Sequence, residues 1–310
     1  MPRKLVQSPL CPTEKVTEEQ LATDLAVLDL DKTIHSVNRR SFFSSLTALG
    51  AATAAAGLLT YTPTAKAQAA GGPSILDVLN FALNVEYLEA NLYIAASGSD
   101  PIPNGFGAGA PITGAPAKLN LDAQTLATFQ NLALDEVHHI ELLRTLIYQL
   151  GGTPINQPVI DYSLGGKMSI TTQAQLLAVS RQFTAVGNSA YAGGAQYLVG
   201  NVFVLTGAGQ ILGAEAQHLG GLNVLCNMQG VVSPKLDTLD YPPVAPNVEY
   251  FTLTPNDALT TGPALGPLRT PQQVLGIVYG VTTPGTTTPM AGVTKGGFFP
   301  QGVNGTVHST

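Results

Sequence analysis

This 310-residue chain is poor in cysteine, with two, in basic residues, with 14, and in charge, at 11% of positions. Cys11 and Cys226 are too few and too far apart for a disulfide framework or a thiolate metal site, so a bound metal would have to be held by oxygen and nitrogen. Basic residues are outnumbered by 20 acidic ones, which leaves a formal net charge of −6. That balance lacks the basic footprint of a nucleic-acid binder and argues against such a partner. At 45% hydrophobic the chain can bury a sizeable core and is not disordered overall.

The first 35 residues are polar, with one short amphipathic run (Leu21, Leu25, Leu28) after a capping box, Thr17-Glu18-Glu19-Gln20. Next come Asn38-Arg39-Arg40-Ser41-Phe42-Phe43, the apolar stretch Leu46 to Leu59, and Ala65-Lys66-Ala67. A basic pair, a short apolar run and a small-x-small site are the order of an export signal. The segment resembles the twin-arginine type, with a cut expected after Ala67. Its apolar run would span only ~21 Å of a ~30 Å hydrocarbon core, so it reads as a signal that meets the membrane transiently during export. The mature protein, residues 68–310, is then expected in the periplasm or outside the cell. It keeps Cys226 alone and carries seven basic against fourteen acidic residues.

Four helical segments are expected in residues 68–230. The first runs from Ser74, an N-cap, to Ser97, with an inward stripe of Ile75, Leu79, Ala82, Glu86, Glu89 and Tyr93. The second runs from about Asp122 to Leu150 and exits at Gly151-Gly152-Thr153-Pro154. The third begins near Thr171 or Thr172, and the fourth occupies about Thr206 to Met228. Irregular connections, Ser99 to Ala117 and 153–169, separate the first three. Between Arg181 and Lys235 the only charged residue is Glu215. So apolar a fourth helix should be buried on most sides, either by residues 231–310 or by a second copy in a homo-oligomer. That C-terminal arm is rich in Pro, Gly and Thr. It holds an extended run, Val248 to Leu253, and one short helix capped by Thr270 with Pro271 at its first position. Phe298 and Phe299 read as packing over the bundle.

Glu136-Val137-His138-His139 and Glu215-Ala216-Gln217-His218 repeat one motif, Glu-x-x-His, within apolar helical patterns. Positions i and i+3 share a helix face, so each motif presents a carboxylate and an imidazole side by side. Both pairs fall on the apolar stripe, among Leu132, Leu143, Leu222 and Leu225, where an unpaired ionisable group costs several kcal/mol unless it holds an ion. Dinuclear carboxylate bundles use a Glu from each of two helices plus Glu-x-x-His from each of the other two. Helix one offers Glu86, so Glu86, Glu136, His139, Glu215 and His218 stand as metal ligands, five of the six such a site needs.

With these residues in place the chain resembles the ferritin-like superfamily, and more narrowly its exported, desiccation-related group. The narrower match rests on Asn84-Val85-Glu86-Tyr87-Leu88-Glu89-Ala90, Asp135-Glu136-Val137-His138-His139, Thr270-Pro271-Gln272-Gln273-Val274-Leu275 and Gly297-Phe298-Phe299-Pro300-Gln301-Gly302-Val303-Asn304-Gly305. The resemblance implies an all-α fold: a ferritin-like four-helix bundle with a long crossover and an irregular C-terminal arm. It implies iron or manganese, one ion or two, in a site acting on dioxygen, peroxide or ferrous iron in stress protection. Glu136 or Glu215 would bridge, His139 and His218 would each terminate one ion, and Glu86 would be terminal. One departure stands out. Where related sequences carry a helix-three glutamate this chain has Thr184, with Asn188 one turn on. Three carboxylates and two imidazoles suit one divalent ion, whereas Glu89 as a further ligand would make two easier to hold. The missing acid also opens the alternative of a non-catalytic desiccation or stress protein with a degenerate metal site. Asp135 and His138 are expected on the solvent side. Tyr87, Tyr93 and Tyr191 are expected as core aromatics.

Overall fold

Helices α1 (Ile75–Ser97), α2 (Ala123–Gln149), α3 (Gln173–Gly194) and α4 (Val202–Met228) form the bundle in the computed structural model, which describes residues 72–243 and 266–310. The expected export signal, the run before it and the extended run Val248 to Leu253 lie outside the described residues. Each helix starts where a side chain satisfies the unpaired N–H groups of its first turn. Ser74 and Asp77 form a capping box on α1, Asp122 accepts from the Thr125 amide, and Thr172 pairs with Gln175 on α3. On α4 the cap is Asn201, whose side chain accepts from the Val204 amide. The helix therefore begins four residues before the expected Thr206. A single 3-10 turn, Ala195–Tyr197, separates it from α3.

Packing pairs α1 with α2 and α3 with α4, and the two pairs meet through α1 on α3 and α2 on α4. Leu79, Leu83, Leu88 and Leu92 of α1 are fully buried with Phe129 and Ile140 of α2 and Leu176 and Leu177 of α3. The long connection from α2 to α3 is tied to the α1–α2 loop by a two-residue parallel pairing of β1 (Ile112–Thr113) with β2 (Ile160–Asp161). Of the two covers expected for α4, the described part of the arm supplies only some. Among the described residues one face stays open, with Val202, Phe203 and Met228 exposed and nothing packed near Gly209 or Gly213.

The arm is fastened by polar groups rather than by area alone. Arg181 of α3 makes a buried bidentate pair with Asp240, and Arg269 pairs with Asp237 through Nη2 at 2.6 Å and Nε at 3.1 Å. Arg269 also donates to Ser189 Oγ of α3 at 2.6 Å. Its carbonyl lies where a Cβ on Gly193 would stand, only 2.0 Å away, so α3 needs glycine at this crossing. The arm's short helix, α5 (Pro271–Val278), is capped by Thr270 and Gln273. Beyond it, Asn304 and Asn84 exchange two hydrogen bonds of 2.9 Å, joining the arm to α1. Phe298 meets the Phe183 ring edge-on at 4.9 Å and Phe299 is fully buried, which is the packing role expected of them. No described helix is long and apolar enough to cross a membrane.

Candidate metal centre

All five sequence-chosen ligands are buried, and four of them converge tightly. Glu86 of α1, Glu136 and His139 of α2 and Glu215 of α4 each offer one ligand atom, and these atoms lie within 4.8 Å of one another. His139 Nδ1 sits 2.9 Å from Glu136 Oε2, 3.3 Å from Glu86 Oε2 and 3.6 Å from Glu215 Oε1. His218 lies at the edge of this group, with Nδ1 3.2 Å from Glu136 Oε1 and 3.7 Å from Glu215 Oε1. Glu136 thus stands between the two imidazoles, one oxygen toward each. The rings face each other at 5.8 Å, tilted by 28°.

The 3.2 Å approach of His218 Nδ1 to Glu136 Oε1 is a charge contact whose alignment is too poor for a hydrogen bond. Both atoms, together with Glu215 Oε1 and Oε2, are buried without a hydrogen-bond partner. Leaving four such atoms dry would cost several kcal/mol, since each forfeits about 1–3 kcal/mol of desolvation. Oxygen and imidazole nitrogen pointing into one small volume are the donor set a divalent iron, manganese or zinc ion accepts. The residues fit a metal.

Neighbours that were expected to be bystanders touch this group. Asp135 is half exposed as expected, yet its Oδ2 sits 3.0 Å from His218 Nε2. That contact fixes the ring so that Nδ1 faces inward. His138, on the next position of the helix face, is exposed. Tyr191 donates to Glu86 Oε1, and Tyr93 donates to Glu89 Oε2 at 2.7 Å. Sequence periodicity marks these tyrosines as inward but not as donors to carboxylates. Tyr87 instead reaches Arg144 and the Phe106 carbonyl, away from the cluster. Asn188 is buried, and Thr184 turns its hydroxyl to the Ser180 carbonyl and toward Tyr93. Replacing Asp135 with alanine is expected to weaken metal affinity about 10- to 100-fold, the range for losing a carboxylate behind a ligating histidine. Chelator competition would read it; an unchanged dissociation constant would remove Asp135 from the site.

Without metal the cluster is a web of shared protons. Burial lifts Glu86 to about 8 from an ordinary 4.5 and Glu215 to about 6. Glu89 is pushed well above the carboxylate range by burial and by Glu215. Burial opposes charge on His139 and His218, but the surrounding carboxylates outweigh it and hold them at about 12 and about 11. Burial opposes charge on Glu136 too, yet the two imidazoles bring it down to about 2. The folded metal-free state therefore binds more protons than the unfolded one, through Glu86 between pH 4.5 and about 8 and through the histidines between 6.5 and about 11 to 12. Where the native state holds the extra protons, stability falls as pH rises. Glu136 has the opposite sign, adding stability above pH 4.5 that is lost only as pH drops toward about 2. Metal-stripped protein is thus expected to melt at a lower temperature at pH 8 than at pH 5. Added metal, which displaces those protons, should raise the melting temperature more at pH 8. Thermal melts with and without chelator would check this, and a metal-free protein more stable at pH 8 would contradict it.

A family model described as a ferritin-like domain matches residues 74–227, a span that takes in the four bundle helices but for Met228, all five candidate ligands and none of the arm. Among solved structures, the chain is similar to a ferritin-like, diiron-carboxylate protein from Bacillus anthracis str. Ames, at 19% identity over 49% of this chain and 94% of that one, with a TM-score of 0.37. A likeness that slight carries no ligand across. No curated protein matches the chain. Residues 74–227, just under half of the chain, thus match a ferritin-like domain, and their helices form a ferritin-like bundle.

Proposed function

We propose that this is an exported metal-binding protein whose buried Glu and His cluster holds iron or manganese, as a redox centre acting on dioxygen, peroxide or ferrous iron in stress protection. The observation that carries the metal is the convergence of Glu86, Glu136, His139 and Glu215 to within 4.8 Å in a dry interior. Iron or manganese, when bound, supplies one-electron chemistry that no protein side chain in the cluster offers. Glu136, whose two oxygens face different imidazoles, or Glu215 would be the carboxylate shared between ions. His139 and His218 would serve as the separate nitrogen ligands, and Glu86 as a terminal carboxylate oriented by the Tyr191 hydroxyl. Leu132, Ile140, Leu143 and Leu222 exclude bulk water around them, which strengthens every charge interaction inside.

Export rests on the Arg39-Arg40 segment and the Ala65-Lys66-Ala67 site, so residues 68–310 would work in the periplasm or outside the cell. The Asn84-to-Ala90 and Gly297-to-Gly305 motifs, joined by the Asn84–Asn304 pair, support the desiccation-related assignment. Protein loaded with iron or manganese should oxidise ferrous iron or consume peroxide, and Glu136→Gln with His218→Gln should abolish that turnover. Full metal occupancy without turnover of dioxygen, peroxide or ferrous iron would leave a metal-stabilised scaffold, the reading that Thr184 favours.

A further inference from the structure

We propose that Glu89 is a metal ligand of this centre, supplying from α1 the carboxylate that α3 lacks; the proposal rests on the metal-binding reading above. Helix α3 has no acidic residue from Gln173 to Gly194. Helix α1 has two, Glu86 and Glu89, one turn apart and each only 2% exposed. A pair of acids on one buried face of one helix is costly to keep dry and is unexplained by packing.

Three contacts aim Glu89 at the cluster. A Cβ built on Gly187 of α3 would lie 2.8 Å from Glu89 Oε1 and 2.8 Å from Glu215 Oε2, so both carboxylates border the space beside Gly187. Glu215 Oε2 has no hydrogen-bond partner there. The other Glu89 oxygen is anchored: Tyr93 donates to Oε2 at 2.7 Å, and Thr184 Oγ1 stands 3.1 Å from that hydroxyl and 3.5 Å from Oε2. Thr184 therefore lies against the anchored oxygen of the glutamate on α1, and Gly187 leaves room for the other. Charge points the same way. Glu86, Glu136 and Glu215 leave two divalent ions one negative charge short, whereas a fourth carboxylate balances them, and uncompensated buried charge costs several kcal/mol.

A different role for Glu89 is also accessible to the same test. It forms one wall of a cavity of about 210 Å³ bounded by Phe183 and Val186 of α3 and by Val278 and Phe298 of the arm. A carboxylate there that only passes ions inward would change the rate of loading and not the number held.

The experiment is an anaerobic titration of metal-stripped mature protein with Mn(II) and with Fe(II), counting retained ions by elemental analysis and following uptake in time. Wild type should hold two ions per chain. Glu89→Gln, which keeps the Tyr93 hydrogen bond, should hold one, with the second bound at least 100-fold more weakly. The double variant Glu89→Gln/Thr184→Glu, which returns a carboxylate to α3, should recover the second ion. Two ions retained by Glu89→Gln, whether at the same rate or only more slowly, would overturn the proposal. One ion in both wild type and Glu89→Gln would overturn it too and leave the mononuclear centre standing. No ion in wild type would defeat the metal-binding reading and Glu89 with it. If Glu89→Gln does not fold, Thr184→Val, which removes only the hydroxyl against the anchored oxygen, should weaken the second ion about tenfold or more; equal affinity would count against Glu89.

Discussion

Gly187→Ala is expected to leave the bundle folded and to lower metal affinity by a hundredfold or more. The added methyl would stand 2.8 Å from carboxylate oxygens of both Glu89 and Glu215, closer than a Cβ is tolerated, and both acids are buried ends that must move to make room. Backbone preference works the other way, because alanine is favoured over glycine in a helix interior by about 1 kcal/mol. Fold and site are thus pulled in opposite directions by one substitution. Calorimetric metal titration beside a thermal melt separates them. Unchanged affinity would mean that the space beside Gly187 is not part of the centre, and a collapsed melt would mean that its contacts are structural.

The second large effect is on stability. Arg269→Met is expected to cost about 3–5 kcal/mol, because it leaves the Asp237 carboxylate buried without its counter-charge. For a domain of this size that corresponds to a melting temperature lower by roughly 6–20 °C. Replacing both partners, as Arg269→Met/Asp237→Leu, should recover much of the loss, since an apolar pair of similar volume often substitutes for a buried ion pair. Denaturant unfolding of the three proteins would show it. A change within about 0.5 kcal/mol for Arg269→Met would mean the pair contributes nothing that the apolar contacts of the arm do not already supply.

The Glu-x-x-His repeat was readable because i,i+3 spacing and an apolar stripe are local properties, and α1 to α3 started where their caps announced them. The start of α4 was not, since Asn201 precedes Val202 and Phe203, which carry no inward pattern and are exposed. Partnerships across the chain were also hidden. Arg181 finds Asp240, Arg269 finds Asp237, and Asn84 finds Asn304 some 220 residues away, none of which follows from spacing. Nor could periodicity show that Asp135, on the half-exposed side, turns to His218, or that Tyr93 and Thr184 hold one oxygen of Glu89. A helix period gives the face of a residue. Its hydrogen-bond partner depends on what the neighbouring helix brings opposite.

The most direct measurement is the number of iron or manganese ions retained by metal-stripped protein after loading and desalting, in wild type and in His139→Gln/His218→Gln. Wild type should keep at least one ion per chain and the double variant none. A wild-type protein that keeps no metal, or a variant that keeps as much as wild type, would contradict a centre built from Glu86, Glu136, His139, Glu215 and His218.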